Sequence, residues 1–486
     1  MVAGPRVPEV PNTEHAAPAA HPSGPIPDPR GPGRFHYAGV AGSGMSALAQ
    51  FQVMSGGLAS GSDRAFDRGE RALARAQLER LGVSVYAQDG RALSDDCAAL
   101  VVSTAVEDQV ADVVAARERG IPVIHRAELL AYYVERYRTI AVAGTSGKST
   151  VVAMIFEVLH DLGLSPSVIT GGELLMLQRE RLWGNAWHGS SDLLVVEADE
   201  SDGSLVHYRP AVSVVLNLQR DHKEMDDVAR MFTTLREHTR EAFVAGEGEN
   251  LAALAQGGTV FGFGPGANLR GEGMTLGPAA SRFAVQGVRF TLPVPGRHNV
   301  ENALAALAAC RCLEVPLASM VAPLAGYEGV GRRFQSLGMA RGIEVVDDFA
   351  HNPAKLAAAI VTAQSRKPAG RVLAIYQPHG YGPTRFLRDD FVATFSGILR
   401  PEDRLWMLEV YYAGGTATRD FSAADIVGQI AERGTLAEFA PSREWLAERV
   451  SQEARPGDLV LVMGARDPSL TQLARTILDT LGRQAG

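Results

Sequence analysis

The sequence predicts an α/β protein of three domains: an N-terminal Rossmann-like domain, a central P-loop ATPase-like domain and a C-terminal Rossmann-like, doubly wound sheet. Three observations carry this reading. Residues 139–150, TIAVAGTSGKST, run from an apolar, β-branched strand into a glycine loop, and an amphipathic helical pattern follows to about residue 162. Residues 35–51 repeat the strand, glycine turn and helix order in FHYAGVAGSGMSALAQF. Beyond residue 331 four apolar strand runs alternate with helical ones, the pattern of parallel strands joined by crossover helices.

Composition sets outer bounds. A chain of 486 residues holds about three domains of roughly 100–200 residues each. With 46% hydrophobic and 21% charged residues it has ample material for buried cores. A formal net charge of −8 argues against a dedicated nucleic-acid binder, which needs an excess of Lys and Arg against phosphate. The only cysteines are Cys97, Cys310 and Cys312, neither a disulfide framework nor a zinc-ligand spacing, as expected in a reducing cytoplasm. No apolar run approaches the roughly 20 residues of a membrane span, and the N-terminus has no signal-peptide core.

Taken in order, residues 1–33 are rich in Pro, Ala and Gly and read as a disordered leader, since they carry too little apolar surface to offset ordering entropy. The first domain is expected at 34–136. Its turn Gly39-x-x-Gly42-Ser43-Gly44 opens a helix whose first N–H groups suit a phosphate or pyrophosphate. Asp63 lies about 20 residues on, where a dinucleotide fold places a ribose-binding acid, so a nicotinamide cofactor stays open on spacing alone.

The central domain is expected at 137–330. In its loop, Gly144, Thr145, Ser146 and Gly147 supply backbone N–H groups to an anion. Lys148 adds a point charge, and Ser149 and Thr150 offer hydroxyls, the first of them to Mg²⁺. The generic motif has a glycine five places before Gly147-Lys148, where this chain has Val142. Glu197, Asp199, Glu200 and Asp202 follow a buried strand run, and Asp221 and His222 end another. Such acids are either a solvated turn or hard-oxygen metal ligands; delivery toward a phosphate loop favours the second. Residues 281–296 read as a hairpin, and His298 either caps the next helix or contacts a nucleotide. The third domain, 331–486, brings Asp347, Asp348, His351, His379 and Arg466 to the ends of its strand runs.

The motifs HYAGVAGSGM, SGSD, VVSTAV, IPVIHRAELL, AVAGTSGKST, VEADESDGS, LNLQRDH, PGRHNVENALAA, GRRFQ, VVDDFAHNP and QPHGYGPTR, in that order, resemble the Mur ligases from about Phe35 to the C-terminus. The resemblance implies an ATP- and Mg²⁺-dependent amide ligase of peptidoglycan precursor synthesis. It joins an amino acid, L-alanine in the branch that matches best, to the carboxylate of UDP-N-acetylmuramate through an acyl phosphate. It also implies that the first glycine turn binds a UDP diphosphate and no nicotinamide, with Gly39, Gly42, Ser43, Gly44, Ser62, Asp63, Ser103 and His125 on the UDP-sugar. On ATP it implies the loop from Gly144 to Thr150 together with Asn299, Arg333 and Asp348. Metal ligation falls to Ser149, Glu197 and His222, and the amino-acid side to His351, Asn352, His379 and Arg385. The catalytic set is Lys148, Glu197, His222, Asp348 and His351. A monomer or homodimer in the cytoplasm is expected, without membrane insertion.

The chain departs from that pattern where arginines are expected, at Gly380 and Pro383, and at Asn352 in place of a histidine. Loss of a guanidinium fork bears on the amino-acid pocket. Two alternatives follow: a ligase adding a tripeptide or a different amino acid, and a nucleotide-binding regulator without catalysis. The joint presence of Lys148, Ser149, Glu197, Asp221 and His222 argues against the regulator.

Overall fold

The computed structural model describes residues 25–200, 203–218, 225–367, 369–412, 418–467 and 469–483. Two units are distinguished, one through Leu129 and one from Leu130 onward.

The first unit is built on β1 (Arg34–Ala38), β2 (Ala59–Ser62), β3 (Ser84–Tyr86), β4 (Cys97–Val102) and β5 (Val123–His125). All pair in parallel, in the order β3-β2-β1-β4-β5. Strand order therefore reverses beside β1, and a crevice at such a switch point is where open α/β sheets take ligands. Residues 25–33 were expected to belong to the leader, but Pro29 is buried and its carbonyl accepts from the buried Gln52 amide at 3.0 Å. A side chain on Gly57 would stand 2.1 Å from that carbonyl, so a glycine lets the segment pack. Residues 1–24 lie outside the described residues.

The second unit carries two sheets. The larger joins β6 (Arg138–Ala143), β7 (Ser167–Ile169), β8 (Ala186–Trp187), β9 (Leu193–Glu197), β10 (Val212–Val215), β11 (Ala242–Gly246), β12 (Thr259–Gly262), β13 (Leu269–Leu276), β14 (Ser281–Val285) and β15 (Val288–Leu292). Their order is β15-β14-β13-β12-β11-β10-β6-β9-β7-β8. Strand β6 runs parallel between β10 and β9, so the groups that follow those three strands meet at one edge. The helix Lys148–Asp161 buries every residue from Ser149 to Leu159, with its apolar side chains in the same core as the Arg297–Cys312 helix. That all-round burial explains its unbroken apolar run VVAMIF and fixes the loop at its start.

The C-terminal sheet contains β16 (Gln335–Ala340), β17 (Ile343–Asp348), β18 (Val372–Tyr376), β19 (Arg404–Leu408), β20 (Ala437–Ala440) and β21 (Leu459–Met463), ordered β16-β17-β21-β18-β19-β20. Only β16 is antiparallel, along the edge. Apolar cores lie on both faces, one including Leu356 and Phe395, the other Leu446 and Ile477, which makes the domain doubly wound as predicted.

Candidate active site

In the first unit the predicted UDP-sugar residues all lie at or just beyond the carboxyl ends of parallel strands. Gly39 adopts φ +77°, open to glycine, and its N–H donates to the Ser62 carbonyl at 2.8 Å. The helix Ser43–Met54 has no side-chain cap at Gly42. Two of the predicted side chains have structural work. Ser62 is fully buried, its hydroxyl donating to Asp112 at 2.5 Å, so only its backbone borders the turn. Asp63 accepts from Ala41 N at 3.0 Å and Ala65 N at 2.9 Å, which clamps the glycine turn and caps the next helix. His125 Nδ1 accepts from Ala127 N at 3.3 Å, and Ser103 Oγ from Ala105 N at 3.4 Å. Sequence reasoning missed Arg126: a Cβ on Gly44 would meet its guanidinium at 2.6 Å, so this cation overlies the first turn of the helix.

At the end of β6, Gly144 has φ +136°, and a Cβ there would lie 2.9 Å from Leu216 Cβ. Gly147 has φ +90°, with Asn302 Oδ1 at 2.5 Å from the same imagined atom. Both positions demand glycine by conformation and by crowding. Lys148 Nζ donates to Gly144 O at 2.8 Å and to Glu200 Oε2 at 2.7 Å, with Asp199 at 3.7 Å. Burial opposes the ammonium's charge, but Glu200, Asp199 and Glu197 outweigh it and hold its pKa above the usual lysine range. Glu197 Oε2 accepts from Ser149 Oγ at 3.0 Å, Thr170 Oγ1 at 2.9 Å and Gly171 N at 3.0 Å. Among the described residues no group of three or more His, Cys, Asp or Glu forms a metal site. Asp202, Asp221 and His222 lie outside the described residues.

A cleft of about 460 Å³ opens from the loop, walled by Ser146, Gly147, Thr150, Asn302, Arg333 and Asp348. Phe263, Arg297 and His298 also line it, as does the Ala354, Ala358 and Thr362 side of the helix Pro353–Arg366. His298 thus faces the cleft, and desolvation there pushes its imidazole below the usual range, favouring the uncharged form. Asn299 borders the cleft but donates to Pro295 O at 2.7 Å across the start of its own helix, whereas Asn302, one turn on, approaches the phosphate loop. Asp348 accepts from Phe334 N and Ala350 N, both at 2.7 Å. Burial raises its pKa, partly offset by the neighbouring Arg333.

His351 and His379 come together, their rings 5.5 Å apart, with His351 Nδ1 2.9 Å from Phe349 O. The two other residues predicted beside them are engaged elsewhere. Asn352 caps the Pro353–Arg366 helix, accepting from Lys355 N at 2.9 Å, and Arg385 pairs with exposed Asp420 and lies 5.5 Å from the Phe421 ring. Gly380, where an arginine was expected, has φ +71°, a conformation that arginine would adopt only under strain.

One further residue escaped the sequence. Asn217 Oδ1 accepts from Thr145 Oγ1 at 2.8 Å and Ser146 N at 3.0 Å, while its Nδ2 donates to Ser146 O at 3.0 Å. It follows β10, and a spacing of 71 residues from Ser146 left no local signal.

The chain matches known proteins along most of its length. Residues 34–138 match the Mur ligase family catalytic domain, 142–310 the Mur ligase middle domain, and 332–466 the Mur ligase glutamate ligase domain. A UDP-N-acetylmuramate–L-alanine ligase of Pelotomaculum thermopropionicum is 34% identical over 451 residues, covering 89% of this chain and 94% of that protein. Its namesake in Mycolicibacterium smegmatis is 36% identical over 475 residues, covering 92% and 95%. Among solved structures, the UDP-N-acetylmuramate–alanine ligase of Thermotoga maritima superposes with a TM-score of 0.78 at 25% identity, over 93% of this chain and 100% of that one. A murein peptide ligase from Psychrobacter arcticus shares the fold, with a TM-score of 0.68 at 20% identity over 92% and 98%. Three domain matches in sequence, and relatives aligned along nearly the whole length, establish that this chain belongs to the Mur ligase family of ATP-dependent ligases.

Proposed function

We propose that the protein joins L-alanine to the lactyl carboxylate of UDP-N-acetylmuramate at the expense of ATP. The observation that carries this is the phosphate loop at the end of β6. It is clamped by Asn217, flanked by Glu197, and opens into a cleft shared by the central and C-terminal domains. The relatives named for this activity, at 34% and 36% identity, support the choice of substrates.

In this reading a carboxylate oxygen of the muramyl nucleotide attacks the γ-phosphorus of ATP, the bond to the β-phosphate oxygen breaks, and ADP leaves. The amine of alanine then attacks the acyl carbon, loses a proton, and expels inorganic phosphate. Lys148 exchanges its Glu200 carboxylate for phosphate oxygens and neutralises charge on the transferring group. Gly144 to Thr150 orient the triphosphate, while Arg333 and Asn302 border its nucleoside side in the cleft. His351 and His379 stand as the pair that receives the amine. Ser149 Oγ and Glu197 Oε2, 3.0 Å apart, are hard oxygen donors suited to Mg²⁺, with His222 a third candidate outside the described residues. When bound, the ion would neutralise phosphate oxygens.

The test is ADP release with UDP-N-acetylmuramate against a panel of L-alanine, glycine, L-serine and a muramyl-type tripeptide, with mass analysis of the product. Alanine-dependent ADP and a product heavier by one alanyl residue are expected. The Lys148→Ala variant should lose on the order of 10²–10³-fold in turnover. Preference for the tripeptide overturns the alanine assignment, and amine-independent ADP release overturns the ligation.

A further inference from the structure

Residues 327–334 join the central domain to the C-terminal sheet, and their bonds divide sharply. Up to Gly331 they go to the central domain. Glu328 N donates to Glu157 Oε2 at 2.9 Å, Gly329 O accepts from Leu175 N at 3.0 Å, Val330 bridges Leu174, and Gly331 N donates to Glu173 O at 2.7 Å. From Arg332 they go to the C-terminal domain. Arg332 N donates to Gln335 Oε1 at 3.0 Å, and Arg332 O accepts from Phe349 N at 2.7 Å. One turn bond, Arg333 N to Val330 O at 3.2 Å, spans the junction.

The backbone here is strained. Arg332 has φ +57° and Phe334 φ +50°, left-handed conformations that non-glycine residues hold only at a cost. They bracket Arg333, which lines the nucleotide cleft. Strain of this kind persists only where the surroundings over-determine it. The Arg332 side chain supplies that hold. It donates to Gly464 O at 2.6 Å, Ala465 O at 3.3 Å and the fully buried Asp347 carboxylate at 3.3 Å, and its guanidinium lies 5.1 Å from the Phe349 ring centroid. Gly464 and Ala465 directly follow β21, and Asp347 lies near the end of β17, so one guanidinium fastens the turn to two neighbouring strand ends.

We propose that Arg332 is a positioning residue: gripping the ends of β17 and β21, it holds the strained turn that presents Arg333 to the nucleotide. This rests on the reading of the cleft as the ATP site. Lysine cannot reproduce the grip, because a single ammonium does not span three acceptors set out for a planar fork. The sequence pairs two adjacent arginines with opposite duties, one facing the sheet and one facing the cleft.

The experiment compares wild type, Arg332→Gly, Arg332→Lys, Arg333→Ala and the Arg332→Gly/Arg333→Ala double variant in the full chain. Glycine relieves the φ +57° strain while deleting the grip, so loss of function in it is not a steric artefact. Calorimetry gives the Kd of a non-hydrolysable ATP analogue, and steady-state kinetics give KM for ATP and for UDP-N-acetylmuramate. Both Arg332 variants should weaken the analogue about tenfold and raise KM for ATP alike, with KM for UDP-N-acetylmuramate unchanged. The double variant should bind as Arg333→Ala does alone. Wild-type affinity in Arg332→Gly, wild-type affinity in Arg333→Ala, or losses that multiply in full in the double variant would each overturn the proposal. Should Arg332→Gly not fold, Arg332→Lys with Arg332→Lys/Arg333→Ala makes the same comparison. Failure of wild type to bind the analogue would instead strike at the ATP reading itself.

Discussion

At the scale of single residues, the second unit buries two acids for opposite ends, Glu157 on the helix Lys148–Asp161 and Glu200 against that helix's first residue. Glu200 is matched to Lys148 at 2.7 Å. Among the described residues Glu157 pairs with no cation: one oxygen accepts from Glu328 N at 2.9 Å and the other has no hydrogen-bond partner. Burial pushes its pKa from 4.5 up to about 8, with Glu328 and Asp161 adding to the rise. The unfolded chain releases this proton near pH 4.5 while the folded one keeps it to about pH 8, so Glu157 makes stability fall as pH climbs through that window. By linkage the cost at neutral pH is about 3–4 kcal/mol. Glu157→Gln keeps the acceptor for Glu328 N and cannot ionise. Urea denaturation should show the variant gaining on wild type steadily between pH 5 and pH 8 and running parallel to it beyond; a constant difference across that range would refute a buried neutral acid.

At the scale of elements, the loop after β6 is held by a residue from the neighbouring strand's end. The Asn217 side chain makes three hydrogen bonds to Thr145 and Ser146, and Asn217→Ala removes them while keeping the backbone bond from Thr145 N to Asn217 O at 3.4 Å. A rise of about tenfold in KM for ATP is expected, with a further loss in Asn217→Asp, whose charge opposes the triphosphate. Equal KM values in the alanine and wild-type enzymes would show that the loop holds its shape unaided. This clamp also marks how far the sequence could be read. Strands β6, β9, β10, β17, β18 and β21 were legible because each is dominated by apolar residues and largely buried on both faces. Strand β13 was not: LRGEGMTL exposes alternate polar residues and contains two glycines, and β8, β16 and β20 are short or lie at sheet edges. The glycine loops and Lys148 were legible for a local reason, since strand, loop and helix are contiguous in the chain. Asn217, Arg126 and Asn302 act on segments reached only through folding, and the duties of Ser62 and Arg385 depend on partners no motif names, whereas the Asn352-Pro353 pair is a local helix-start signal that went unread.

At the scale of the molecule, the first unit begins its packing earlier than composition implied. Because the Pro29 carbonyl accepts from Gln52, truncation through residue 33 should lower the first unit's stability by about 1 kcal/mol relative to truncation through residue 24. Differential scanning calorimetry of the two shortened chains decides this, and identical melting profiles would return residues 25–33 to the leader. Across the second unit the two sheets divide the labour. The central one carries the glycine loop after β6, and the C-terminal one brings Asp348 and the turn that carries Arg333 to the same cleft. The pairing of Lys148 with Glu200 bears on how such a site meets its nucleotide. An ammonium already balanced by a carboxylate broadcasts almost no field into bulk water, so this group does little to draw a distant polyanion inward. In the proposed function, loading is then a swap of anions at close range, and the vacated carboxylate becomes a resident rival that presses spent ADP and phosphate to leave.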